Sequence, residues 1–216
     1  MPKEVNEEFI KNLAKQGAKK PIYQPQKQML LWTMVMIFYA SLIFIFLGFR
    51  ADLSQKIQDI FFDLEIFLIL ATSVSAAFAA SFLALPDLNQ KPMIKKIPFI
   101  FLFLLCAVIA RQYFMKGSSV VDEICGGANY QCALAIVIFA IIPSLIFFVI
   151  LYRAATLNSA LAGFMIGLCG GSFSYFLLRL VHSTEDVTHL FMWHFIPVFF
   201  VTIISTIIAK LVVKRI

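Results

Sequence analysis

Residues 133–151 read ALAIVIFAIIPSLIFFVIL. The run carries no charged side chain and has the length of a bilayer crossing, which takes about 20 mostly apolar residues. Working outward from it, five further runs of the same kind appear at 29–49, 66–85, 97–114, 157–180 and 190–211. Composition agrees: 61% of the chain is hydrophobic and 14% is charged, against roughly 45–50% and about 25% in soluble domains. A water-soluble domain with a large core is excluded. The expected architecture is all-α: a polytopic membrane protein of six transmembrane helices over 29–216, preceded by a short segment over 1–28. No cleavable signal peptide opens the chain, because residues 1–28 are polar and a signal needs an early apolar run.

Orientation follows from the basic residues, which gather in cytoplasmic loops. With the N-terminus inside, 13 of the 18 Lys and Arg residues fall on the cytoplasmic side, and the outer loops hold eight of the twelve acids. Both termini are therefore expected in the cytoplasm. The net charge of +6 reads as a topology signal, helped by anionic lipid, rather than as a nucleic-acid footprint. The lipid bilayer is the expected surrounding and direct nucleic-acid binding is not expected. The second and third connections have room for short interfacial helices, and IQDIFFDLEIF can start its helix before the bilayer edge.

Small residues recur every fourth position in two of the runs. Ser159, Gly163, Gly167 and Gly171 do so in the fifth, and Thr72, Ala76, Ala80 and Ala84 in the second. Such stripes form grooves that let helix backbones approach where no hydrophobic drive operates. The two runs are the middle members of a first and second triplet, as in an inverted repeat, although no clear sequence repeat accompanies them. The oligomeric state is left open, a homo-oligomer included.

The segment PKEVNEEFIKNLAKQG reads as a short amphipathic helix. Asn6 is placed to cap it, and Glu7 and Glu8 suit the positive end of the helix dipole. Val5, Phe9, Ile10 and Leu13 share one apolar face. A helix this short is marginal alone, so the face needs a partner: lipid, the protein's own loops, or a soluble protein. Pro21 and Pro25 then favour an extended tether.

All three histidines fall in RLVHSTEDVTHLFMWH, residues 179–194. Ser183 or Thr184 is placed to cap the sixth helix, with Glu185 or Asp186 in its first turn. His182, Glu185 and His189 could converge, but metal needs three or four ligands and this spacing is not a strong signature. No metal and no cofactor is assigned. Imidazoles titrate near physiological pH, so protonation-linked sensing is the sharper use. Cys106 and Cys169 read as small buried apolar residues. Cys125 and Cys132, in CGGANYQC, lie in the third connection, where an oxidising outer compartment permits either a disulfide or two thiols. With no HExxH and no GxSxG, an enzyme is not expected. No charge lies at mid-span, which argues against ion-coupled transport. A transporter or channel for a neutral solute remains the alternative.

The order of these features resembles the NrsF-type family, negative regulators of sigma F. The resemblance rests on FIKNLAKQGAKKPIYQP, ICGGANYQCAL, IIPSL, YRAATLNSALAGFMIGLCGG and LVHSTEDVTHLFMWHFIPV, and it covers essentially the whole chain. It implies a six-span anti-sigma factor of the bacterial inner membrane. Such a protein would hold an extracytoplasmic-function sigma factor through its N-terminal segment and release it on an outer signal, redox or metal. It makes Val5, Phe9, Ile10 and Leu13 the partner-binding face and Cys125 and Cys132 the redox sensors. His182, Glu185, Asp186, His189, Trp193 and His194 become the outer motif. The family often carries a cysteine after the first histidine; here that position is Ser183, so a thiol switch there is lost.

Overall fold

The computed structural model describes residues 24–84, 92–116, 130–152, 156 and 158–212. Among them are six helices long and apolar enough to cross a membrane, and no strand. In chain order they are α1 (Pro25–Leu47), the short α2 (Leu53–Lys56), α3 (Ile60–Leu83), α4 (Pro92–Lys116), α5 (Tyr130–Tyr152) and α6 (Ser159–Val181). The last span, Val187–Val212, is built from α7 (Val187–His189), a π-helical stretch (Leu190–Phe195) and α8 (Ile196–Val212).

Several helices start earlier than their apolar runs. The Pro25 expectation is corrected: it opens α1 instead of extending a tether. At the first helical position the missing N–H has no intrahelical partner to lose, and the fixed φ suits the helix. Asp59 caps α3 by accepting from the Phe61 amide at 3.0 Å, so Glu65 lies inside a spanning helix rather than in a loop. Asn158 caps α6 by accepting from the Leu161 amide at 3.0 Å. Helix α5 begins at Tyr130, which moves Cys132 out of the connection and into the first turn of a span. A short helix occurs in the first connection, α2; 85–91 and 117–129, most of the second and third, lie outside the described residues.

Helix α6 is the centre of the bundle, packed by α3, α5 and α8, while α4 rests on α3 and α1 lies across α3, α5 and α6. Close approach is possible because the contact faces are small. Gly163, Gly167 and Gly171 of α6 lie against Ala209, Ser205, Thr202 and Val198 of α8. Ala76, Ala77, Ala79 and Ala80 of α3 are buried, and Ser73 donates to the Cys169 carbonyl of α6 at 3.0 Å. At the opposite end from the histidines, the Thr156 hydroxyl donates to the Leu83 carbonyl at 2.8 Å. Larger side chains fill what the small ones leave: Trp32 of α1 packs on Phe147 and Phe173, with ring centroids 5.7 and 6.0 Å away.

Proline inside α5 also finds compensation. Pro143 cannot donate to the carbonyl of Phe139, four residues back, and the Tyr39 hydroxyl of α1 approaches that carbonyl at 3.4 Å. The outward faces are apolar, with Ile45, Phe46 and Phe103 more than 70% exposed. Such a surface suits acyl chains, and the all-helical backbone satisfies its polar groups internally, as a bilayer requires.

Candidate functional site

Charge collects at one end of the bundle, formed by the α1–α3 connection, the C-terminal turns of α6 and the entry to the last span. Gly48, at φ 76°, ends α1 and turns the chain so that the Arg50 amide bonds the Leu180 carbonyl at 3.0 Å. Arg50, 3% exposed as a residue, grips Asp52 through Nε and Nη2, both at 2.7 Å. Its Nη2 also donates to Glu185 at 2.5 Å, and Lys56 Nζ reaches the other Glu185 oxygen at 2.5 Å. The Arg50 fork holds the Asp52 carboxyl down at about 2. A carboxylate with a lowered pKa stabilises the fold above the ordinary Asp value, and that contribution disappears as pH falls toward 2. Burial tends to raise Glu185, but hydrogen bonds from Lys56 and Arg50 outweigh it and keep the group below the usual range.

Beneath this layer lies a second, drier one. Glu65 of α3 is 1% exposed. It accepts from the Tyr175 hydroxyl at 2.7 Å and from Arg179 Nε at 3.2 Å, both on α6. Arg179 Nη1 donates to the Thr184 carbonyl at 2.9 Å. The Phe62 ring sits near both guanidinium groups, 5.5 Å from that of Arg50 and 5.0 Å from that of Arg179. The Lys56–Glu185 pair is solvent-facing, with Glu185 49% and Lys56 26% exposed, so Lys56→Ala should cost less than about 1 kcal/mol in thermal unfolding.

The histidines form the third part. His182, His189 and His194 have ring centroids 5.4–6.0 Å apart. Cys132 of α5 joins them, and one ligand atom from each of these four side chains lies within 4.8 Å of the other three. The Tyr175 ring packs edge-on to His194 at 5.7 Å, linking this cluster to the Glu65 layer. His182 accepts or donates at Nδ1 with the Thr184 hydroxyl, 2.7 Å away. Its pKa is pushed below the usual range, chiefly by burial and then by His189, Arg50 and Arg179. The π-helical stretch creates the alignment. In an α-helix residues five apart point about 140° away from one another, whereas i→i+5 bonding stacks them, so His189 and His194 share a face.

A family model described as negative regulator of sigma F, NrsF, matches residues 13–214. The chain belongs to this family. No curated protein and no solved structure is significantly similar to it. Membership of the NrsF family identifies a negative regulator of a sigma factor, and the six apolar helices make it a membrane protein.

In this NrsF-family chain the residues singled out from sequence fall in distinct places. Val5, Phe9, Ile10, Leu13 and Cys125 lie outside the described residues. Glu185 does not join the histidines; it bonds Arg50 and Lys56. Neither Ser183 nor Thr184 caps the last span. Asp186 does, accepting from the Thr188 amide at 2.8 Å, which leaves Glu185 outside the helix and free to turn toward α2. Trp193 is partly buried beside Tyr130 and Pro197. Arg50, Glu65 and Tyr175 were not singled out from the sequence. A signal existed for two of the network's members, since Glu65 directly precedes the run at 66–85 and Arg179 falls in the last turn of the run at 157–180, where charge is retained only with partners.

Proposed function

We propose that the chain is an anti-sigma factor of the bacterial inner membrane, with both termini in the cytoplasm, that holds an extracytoplasmic-function sigma factor away from RNA polymerase. The observation that carries this reading is the union of the family match over 13–214 with six bilayer-length helices. A negative regulator embedded in lipid reaches a soluble transcription factor only through segments that project from the membrane. The apolar face of Val5, Phe9, Ile10 and Leu13 is the projecting surface that suits a protein groove. The charged and histidine-rich end then faces the outer compartment. A signal there, whether oxidation of Cys125 and Cys132 or occupation of the histidine cluster, alters how α6 and α8 pack along Gly163, Gly167 and Gly171. The cytoplasmic segment is thereby presented differently.

The full chain in detergent should retain a small two-domain sigma factor encoded beside it. Phe9→Asp and Leu13→Asp each place a charge in the apolar contact. Each should weaken retention by roughly thirtyfold, the scale of an interface hot spot. Unchanged retention by the double variant would remove this face from the interface. Reporter fusions that put Met1 on the outer side would overturn the whole reading.

A further inference from the structure

We propose that Cys132, His182, His189 and His194 form a binding site for a borderline-soft divalent cation, Zn2+ in the first instance. The inference supplies a ligand for the charged end of the regulator proposed above. The site itself rests on its own geometry and needs no sigma factor.

Three imidazoles and one thiolate are the nitrogen and sulfur ligands that zinc takes in closed tetrahedral sites, whereas hard cations prefer oxygen. The two carboxylates nearest in sequence are engaged elsewhere, Glu185 by Arg50 and Lys56 and Asp186 by the Thr188 amide. Four atoms at the outer limit of 4.8 Å surround a point about 2.9 Å from each. Zinc bonds of about 2.0–2.3 Å therefore ask each side chain to move by less than about 1 Å.

The independent pointer to a ligand is His194. It is fully buried, at 0% exposure, and neither ring nitrogen has a hydrogen-bond partner among the described residues. Buried polar atoms are nearly always satisfied, and an exception calls for an explanation such as an ion. Its ring is surrounded by Tyr175, His182 and His189, so the unsatisfied nitrogens lie within the cluster rather than in lipid. A cation at this point would also tie together three elements, the start of α5, the end of α6 and the π-helical stretch.

The closed four-ligand set assigns zinc a structural or sensing role, because a catalytic zinc keeps one position for water. Binding releases the thiol proton of Cys132, leaving a thiolate on the metal; no oxidant is involved. Formation of a disulfide by Cys132 would compete with the site directly.

The test uses the full chain, purified in detergent with a non-thiol reductant, stripped by chelator and titrated with Zn2+, and separately with Co2+ as a spectroscopic stand-in. The expected result is one ion per chain, tetrahedral cobalt absorption, and a thiolate-to-cobalt charge-transfer band. Cys132→Ser should abolish that band while the protein remains folded, and His182→Ala, at the partly exposed rim, should weaken affinity by tenfold or more. Added Zn2+ should raise the Tm of the unaltered chain but not of His194→Ala. Cys106→Ser should change nothing. Absence of stoichiometric binding, or binding indifferent to both Cys132→Ser and His182→Ala, would overturn the site. The anti-sigma reading would stand or fall separately, on sigma-factor retention by the metal-free chain.

Discussion

Glu65→Leu should lower the stability of the bundle by about 3–5 kcal/mol, the usual consequence of removing one partner from a buried ion pair. The side chain it leaves behind, Arg179, is 5% exposed, and its Nε and Nη2 both face the Glu65 carboxylate, at 3.2 and 3.4 Å. The Thr184 carbonyl satisfies only Nη1, and the Phe62 ring 5.0 Å away offers a cation–π contact on the order of 2 kcal/mol when desolvated, which does not replace a carboxylate counter-ion. An uncompensated guanidinium in that position draws in water or forces α3 and α6 apart. The Tyr175 hydroxyl loses its acceptor at the same time. The double variant Glu65→Leu, Arg179→Leu should recover most of the loss, because exchanging a whole buried pair for apolar groups is often close to neutral. Thermal unfolding of the two single variants and the double one in detergent, treated as a double-mutant cycle, separates the cases. A single-variant loss below about 1 kcal/mol would mean that the Glu65 carboxylate is not acting as a counter-ion to Arg179.

Gly167→Leu should be comparably severe, about 3 kcal/mol or more, above the common range for overpacking. A Cβ at residue 167 would lie 2.5 Å from the Thr202 Cα, 2.7 Å from the Ser205 Cβ and 3.0 Å from the Val201 carbonyl oxygen. Two of these are backbone atoms of α8, so no side-chain rotation relieves the clash; the helices themselves must separate. Gly170 makes the contrast. Its nearest obstacle would be the Ser144 hydroxyl of α5, a group that can turn away, with the Ala140 carbonyl oxygen next at 3.1 Å, so Gly170→Ala should cost markedly less than Gly167→Ala. A Gly167→Ala loss no larger than that of Gly170→Ala would show that α6 and α8 are not in the tight contact described.

The spans were legible because a long apolar run is a property of composition, and the bilayer leaves few alternatives for such runs. Their first turns were not. Pro25, Glu65 and Cys132 sit in helical positions that carry charge, a proline or a neighbouring polar loop. Local chemistry there resembles a connection until the caps at Asp59 and Asn158 are seen. The family resemblance could be read along almost the entire chain, because it is carried by short strings rather than by geometry. The histidine cluster was only half visible. Grouping Glu185 with His189 assumed that the last helix begins before Glu185, whereas the cap is Asp186. Cys132 and the histidines meet through the packing of α5 on α6 and the last span, which no local pattern encodes. Arg50 and Glu65 found partners more than a hundred residues away, beyond the reach of any spacing rule.

The widened turn at Leu190–Phe195 also changes what a shortened gene product should tolerate. In an ordinary span, loss of one residue swings everything beyond it by about 100°, enough to pull a packed face off its neighbour. Here the loss can be absorbed on the spot: an i→i+5 turn that gives up one residue becomes an i→i+4 turn. Omission of Met192 would then bring the second and third imidazoles to a spacing of four, still on one side of the helix, while Val198, Thr202 and Ser205 keep their seats against the glycines of α6.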